Sequence, residues 1–454
     1  MGRHHDGWPR PLTVKFQLIK ETVRTASTLP PGFCLHTRPD HGSAPFSDLP
    51  SPASCDATPY RDASICTLMR LMASGRSAAD LFASANAIDD SASMLMQMAM
   101  LLTLSGNDEL AWTFQENAIR LRPHYRLAAD RQPASLRLLV IAKPGFMLDN
   151  TPVEFLLEGS DVAMDVVYVA LDLPLPDRLP DHDLVFVAIA QFVRHRALFE
   201  KIGPLIRGLT TPVLNMPGPL FGVERDRLST LLQGIDGLRV PPCRQIDRAV
   251  LQGIAGDSQV PAAAVHGTIG FPAIVRPLIS SGGLGLARIN DCSEAMAYLL
   301  LHADAAFYVA PFVDYRSADG LYRKCRIALL QGRAFVCHLA ISEHWMVHYQ
   351  SAGMERSAAR REEEAHFMRH FDTGFGRRHA RALSIMWARL GLDYVVVDCA
   401  ELQDGQLLFF EADNISVVHA MDSAEMFPYK QEQMQKVQQA FRQLLDSAVS
   451  SGTI

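Results

Sequence analysis

No run of about eighteen apolar residues occurs in this chain, so no stretch has the length of a membrane-spanning helix. The N-terminal MGRHHDGWPRPLTV also lacks the apolar centre of a signal peptide. Charge is balanced: 43 Lys and Arg stand against 49 Asp and Glu, for a net charge of −6, which leaves no basic excess for nucleic acid or an anionic membrane. The eight cysteines include no Cys-x-x-Cys pair, and several lie in apolar runs such as 333–340. They read as reduced core thiols, and the expected compartment is the cytoplasm. The fingerprint GxGxxG is absent, no GxxxxGK[ST] loop runs into a helix, and no HExxH, Ser-His-Asp or Cys-His constellation is present. These absences exclude the usual dinucleotide and Walker-type sites and leave chemistry that needs few enzyme side chains.

What is present points to several domains, since 454 residues exceed one core and suggest two to four. Residues 1–60, rich in Pro, Ser, His and Asp, read as a loose extension with one strand-like run at 12–19. Residues 61–130 are rich in Ala, Leu and Met at helical spacing and read as an all-α domain. Within it Leu95, Met98, Ala99, Leu102, Gly106, Ala111, Ala118, Ile119 and Pro123 fall on the small and large positions of a tetratricopeptide repeat. An ordinary helical hairpin is the plainer alternative. From Leu136 four apolar β-rich runs alternate with helical stretches, which predicts a small parallel-sheet α/β domain over about 135–240. Asp149, Asn150, Asn215 and Met216 sit just past such runs, as ligand contacts or turn formers. Residues 223–256 read as one short helix and a linker.

The most informative stretch is YVVVDCAELQDGQLLFFEADNISVV, 394–418. Two apolar runs, 394–397 and 407–410, flank a turn at Asp404-Gly405 and predict a hairpin. Carboxylates follow each run: Asp398 after the first, Glu411 and Asp413 after the second. Side chains two apart on a strand share a face, and the partner strand can bring Asp398 beside them. Three clustered acids repel one another unless a cation joins them, and oxygen-only ligands suit Mg²⁺ or Mn²⁺ bridged to phosphates. The alternative is a pair of edge strands whose acids turn into solvent.

A second stretch, FPAIVRPLISSGGLGLARI, reads as a strand ending at Arg276, a Ser/Gly loop through Ser280, Ser281, Gly282, Gly283 and Gly285, and a return strand at 286–289. Bare backbone N–H groups in such a loop can fold over phosphates while Arg276 neutralises charge. A strand follows at 307–315, and then a strand pair around Gln331-Gly332 carries Arg323, Lys324 and Arg326 towards the carboxylate hairpin. Those cations are structural ion pairs, or an anionic ligand's clamp. His344 and His348, four apart, would share a face if helical, but a loop touching substrate fits better than zinc, because no third ligand is near. His338 and His419 are further near-site candidates. Residues 355–370 read as a solvated helix face or lid.

This order of elements resembles the ATP-grasp superfamily over roughly 136–445. It is more closely similar to the bacterial group that joins a tetratricopeptide-like helical region to a module like the ribosomal-protein glutamate ligases. The stretches that carry the likeness are YRKCRIALLQGRAFVCHLAISEHWMVH, GLDYVVVDCA and FFEADNISVVHAMD. The resemblance implies an α/β (α+β) ATP-grasp fold: a pre-ATP-grasp domain at 135–240 and an ATP-grasp domain at 241–454, hinged near 310–316. It implies that ATP lies beneath Ser281, Gly282, Gly283 and Gly285, with Arg276 and Lys324 near its phosphates. Ala310, Pro311, Phe312 and Val313 would flank the adenine, and Arg326 would act on the transferring phosphoryl group. Mg²⁺ or Mn²⁺ would rest on Asp398, Glu411 and Asp413 or Asn414. Two departures stand out: Arg276 replaces the usual Lys, and Asp413-Asn414 replaces a single Asn. The implied activity is a carboxylate–amine ligase working through an acylphosphate, on a small molecule or on a peptide or protein docked by the helical domain. The alternatives are a kinase that stops at phosphoryl transfer, or a repeat-type binding scaffold with a degenerate ATP site. The carboxylate, the nucleophile and the oligomeric state stay open.

Overall fold

The computed structural model describes residues 64–145, 149–216, 222–256, 270–278, 280 and 283–452. The expected N-terminal extension, and Ser281 and Gly282, lie outside these residues. The described chain forms two compact units: 64–145 with 159–185, and 149–158 with 186–452.

The first unit opens with four helices, α1 (Ile65–Ala73), α2 (Ala78–Asn86), α3 (Ser91–Leu104) and α4 (Asp108–Leu121). Ser64, Ser77 and Asp90 each accept an N–H from the first turn and so start the first three. Ala99, Ala111 and Ala118 are fully buried, which lets α3 and α4 approach closely. The chain then forms β1 (His124–Leu127), β2 (Leu136–Ala142) and, after the single-turn α5 (Val153–Leu156), which belongs to the second unit, β3 (Val162–Tyr168). β2 runs parallel to β3, as expected, whereas β1 pairs antiparallel on its other side. β1 lies within the region expected to be helical. His124 and Arg126 bind buried Asp165 of β3 from it at 2.5 and 2.8 Å, and that cross-strand pairing holds a strand too polar to show an alternating pattern.

The second unit takes over within β4 (Leu184–Val187) and continues through α6 (Arg196–Arg207), β5 (Val213–Leu214), α7 (Arg225–Leu231), β6 (Leu238–Arg239), β7 (Arg244–Asp247) and α8 (Arg248–Gly256). Residues 223–256 therefore hold two helices and two short strands where one helix and a linker were expected. The unexpected β7, RQID, is a polar edge strand that becomes a strand only by pairing with its neighbour. β8 (Ala273–Pro277), β9 (Ala287–Ile289), α9 (Cys292–Leu301) and β10 (Ala306–Pro311) follow. They form an antiparallel sheet in the order β7-β10-β8-β9, packed on α8 and α9 through Leu251, Val275, Leu299 and Phe307.

The larger sheet of this unit runs β12-β11-β13-β14-β6, from β11 (Tyr322–Leu330), β12 (Arg333–Ser342), β13 (Tyr394–Glu401) and β14 (Leu407–Asp413). β13 is central and nearly all buried, which explains its run of Val. Both hairpin strands run further than expected and include their acids. Gly405, at φ +82°, makes the turn between them. Helices α10 (Ala358–Arg369), α11 (Phe375–Leu390) and α12 (Pro428–Ser451) complete the unit. The expected solvated face of α10 is instead partly internal. Glu364 is fully buried, accepting hydrogen bonds from Leu339 N–H and from the hydroxyls of Tyr349 and Tyr429.

Candidate functional site

The register of the larger sheet sets Glu411 of β14 opposite Asp398 of β13, Asp398 opposite Arg326 of β11, and Arg326 opposite His338 of β12. Directly opposed residues share a face, so one row of chemistry crosses four strands. Asp413 lies two residues beyond Glu411, and Lys324 two before Arg326, which adds both to that face. Register irregularities flank the row after Arg326 and after Asp398.

Asp398, 2% exposed, is held by two cations: Lys324 Nζ donates at 2.9 Å, and Arg326 donates from Nε at 2.8 Å and from Nη2 at 3.1 Å. Burial pushes its carboxyl up, but Arg326 and Lys324 outweigh burial and hold it well below the usual range. Arg326 in turn is held protonated: burial works against its charge, and Asp398 overcomes that. Glu411 pairs with Arg225, a residue that no local pattern in the sequence singles out. Burial raises the Glu411 carboxyl, and Arg225, helped by Lys324 and Arg276, brings it below its ordinary value. Asp413 goes the other way. Burial and the neighbouring Glu411 charge lift it to about 6, while Arg326 and the Ser416 N–H oppose the rise. The N–H groups of Ile415 and Ser416 bind its Oδ1 at 2.9 and 2.6 Å.

The smaller sheet faces this row with Arg276 of β8, 6% exposed, whose Nε donates to Ser280 Oγ at 3.0 Å and whose Nη2 donates to Ser280 O. Burial first, then the charge of Arg225, lowers it to about 10, with Glu411 opposing. Gly283 and Gly285 both have positive φ, +80° and +67°. A methyl on Gly283 would meet His348 Nε2, and one on Gly285 would lie 2.7 Å from Pro277. Ala310 and Pro311 pair with β8 on one side, and pairing with β7 on the other side ends at Val309. The N–H of Phe312 is already bound to Pro272 O at 2.9 Å, and its ring lies 5.8 Å from Trp345 and 4.2 Å from the Arg288 guanidinium. Val313 follows without a strand assignment.

The other candidates divide between the site and the scaffold around it. Asn414, fully buried, faces away from Asp413: its Oδ1 accepts the Gln191 N–H at 3.2 Å and its Nδ2 donates to Ile189 O at 3.0 Å. Asn414 lies one residue past the end of β14, and its side chain is held there by the backbone at 189 and 191. Asn215, at φ +57°, clamps the start of β13 through both Tyr394 N and Tyr394 O, so it is a turn former. Arg323 points away to Asp319 and Glu363. His344 and His348 lie in a turn-rich stretch and not on a helix, so their spacing gives no common face. His348 Nε2 and His338 Nδ1 are buried without hydrogen-bond partners. Burial and Lys324 lower His348 to about 4; burial and Arg326 push His338 well below its usual value. His419 Nδ1 accepts the Met421 N–H. Six described cysteines, 66, 243, 292, 325, 337 and 399, are free thiols.

Among the described residues, no group of three His, Cys, Asp or Glu side chains is placed to hold a metal ion, and no helix is long and apolar enough to cross a membrane. The three acids expected to hold a metal have different partners: Asp398 is paired with Lys324 and Arg326, Glu411 with Arg225, and Asp413 accepts the N–H groups of Ile415 and Ser416.

No family model matches the chain, and no curated protein matches it. Among solved structures it is similar to the VanG D-Ala:D-Ser ligase from Enterococcus faecalis, at 13% identity and a TM-score of 0.40, covering 69% of this chain and 99% of that one. It is also similar to the D-alanine-D-alanine ligase from Coxiella burnetii, at 12% identity and a TM-score of 0.41, covering 70% and 96%. Likeness of that degree carries no activity, substrate or cofactor across.

Proposed function

We propose that this site binds Mg-ATP and that the chain is an ATP-grasp enzyme joining a carboxylate to an amine. The observation that carries the reading is the row of Glu411, Asp398, Arg326 and His338, with Asp413 and Lys324 beside it and Arg276 facing it from the smaller sheet. With Arg225 at Glu411, four cations and three acids converge where a polyphosphate and its metal would need both signs of charge.

The donor set fits Mg²⁺ in a reduced form. Glu411 and Asp413 are oxygen donors, and the Asp413 carboxyl is raised by burial first and then by the Glu411 charge, both of which a bound cation would offset. One or two carboxylates with phosphate oxygens and waters suffice for this ion. When bound, Mg-ATP would supply the activated phosphoryl group through which a carboxylate becomes an acylphosphate open to an amine. The chain's residues do the rest. Asp398 orients Lys324 and Arg326 and holds Arg326 charged, so that both side chains meet anionic oxygens without having to reorganise. Arg276 offers a planar fork at the base of the glycine loop. His338 and His348, both neutral at pH 7, offer ring nitrogens as hydrogen-bonding walls that add no further charge. Asn414 is left out of the metal set. We also propose the helical region at 65–121 as a tetratricopeptide-like docking element for a peptide or protein substrate; its buried alanines support close helix pairing.

The test is the melting temperature with and without Mg-ATP. Wild type is expected to gain several degrees and Glu411→Ala none, because ligand bound only to the native state stabilises it by mass action. No gain in wild type overturns nucleotide binding and moves the function to the helical region. A gain followed by phosphorylated product in place of amide favours the kinase reading.

A further inference from the structure

We propose that the groove formed by the start of β12, α11 and α12 binds a compact organic anion with an apolar or aromatic body. The groove encloses about 500 Å³, within the range of small-molecule sites. Its lining includes Arg333, Arg377 and Lys436 against one carboxylate, Asp372, with Phe335 and Leu383 among the apolar residues beneath. The Arg377 side chain makes no hydrogen bond or ion pair among the described residues, and the partner of the Arg333 side chain among them is the Phe335 ring, 5.1 Å from its guanidinium. Lys436 lies 3.5 Å from Glu432 and 4.0 Å from Asp372 and donates to Gln433 Oε1 at 3.2 Å; both carboxylates are more than 70% exposed, so the pairs are screened and the charge excess rests mainly on Arg333 and Arg377. The first turn of α11, a helix of 16 residues, lines the groove through Gly376 and Arg377, and its amide dipoles have the same sign.

Two guanidinium forks without a carboxylate partner, one of them beside the Phe335 ring, suit a carboxylate or phosphate on a ring or short apolar chain. Arg333 stands five residues from His338, roughly 16 Å along an extended strand, so the groove is separate from the carboxylate row and independent of the Mg-ATP reading.

Calorimetric titration of the full chain with phenyl phosphate, benzoate and inorganic phosphate tests the proposal. Saturable binding of phenyl phosphate or benzoate is expected, at least fivefold tighter than inorganic phosphate. Whichever probe binds tighter identifies the acid group. Arg333→Ala with Arg377→Ala should weaken it at least tenfold, Arg377→Gln alone severalfold, and Arg276→Ala not at all. Unchanged melting temperatures of the groove variants would tie the loss to the groove. No saturable binding, binding indifferent to Arg333 and Arg377, or binding lost in Arg276→Ala would overturn it.

Discussion

Replacing Asp398 by Asn in metal-free buffer separates two roles that this acid could have. As an anchor for cations, its loss leaves Lys324 and Arg326 buried with no full counter-charge. Breaking a buried pair typically costs about 3–5 kcal/mol. The Arg326 and Lys324 side chains are 21% and 10% exposed, so water reaches them partly, and the Asn oxygen still accepts one hydrogen bond. About 2–4 kcal/mol is the resulting expectation. At roughly 2 °C per kcal/mol for a unit of this size, melting should fall by about 4–8 °C. Differential scanning calorimetry at pH 7 reads this directly. The carboxyl is depressed in the folded state, so its contribution is complete above the unfolded value of 3.8 and is lost as pH falls through the folded one. The deficit should therefore be constant from pH 8 to 5. If crowding with Glu411 and Asp413 outweighed the attraction of the two cations, the same substitution would relieve repulsion and raise the melting temperature. An equal or higher value in Asp398→Asn refutes the anchor.

Asp413→Asn should have the opposite sign. Its carboxyl rises from 3.8 to about 6 on folding, worth about 3 kcal/mol at full burial and about 1–2 for this half-buried group. The cost is absent below pH 3.8, grows up to about pH 6 and is constant above, so the variant should melt higher than wild type at pH 7 and equally at pH 3.5. Gly283→Ala combines positive φ with a methyl against His348 Nε2; it should weaken Mg-ATP at least tenfold by calorimetric titration, with part regained on adding His348→Ala. Asn414→Ala removes bonds to the backbone at 189 and 191 and should cost about 2 kcal/mol in thermal unfolding, with the Mg²⁺ dependence of nucleotide binding unchanged.

The hairpin and its acids are legible in the sequence because carboxylates interrupt apolar runs, and such interruptions are rare unless something offsets them. Lys324 and Arg326 are legible for the same reason, on a strand otherwise buried. Arg225 is not. It sits in the polar heptapeptide RDRLSTL, and its partner Glu411 is 186 positions away, so only the folded chain reveals the pair. β7 is hidden because its four residues have no apolar alternation and gain strand form from β10. The placement of Asn414 is hidden as well: it lies one residue past β14, and its buried partners at 191 and 189 are 223 and 225 positions away. Local spacing thus reveals which acids share a surface, whereas the identity of their counter-ions depends on chain crossings that spacing does not encode.

The row from Glu411 to His338 spans three inter-strand steps, roughly 14 Å, and every link is a backbone ladder position. A slip of one residue in any of the three pairings would turn its members to opposite faces at once. The site is therefore a check on assembly: a chain can collapse with the right strands in the right order and still lack it. Recovery of ligand binding during refolding should accordingly lag behind recovery of β-structure, and the lag would time the moment at which three independent pairings lock into alignment.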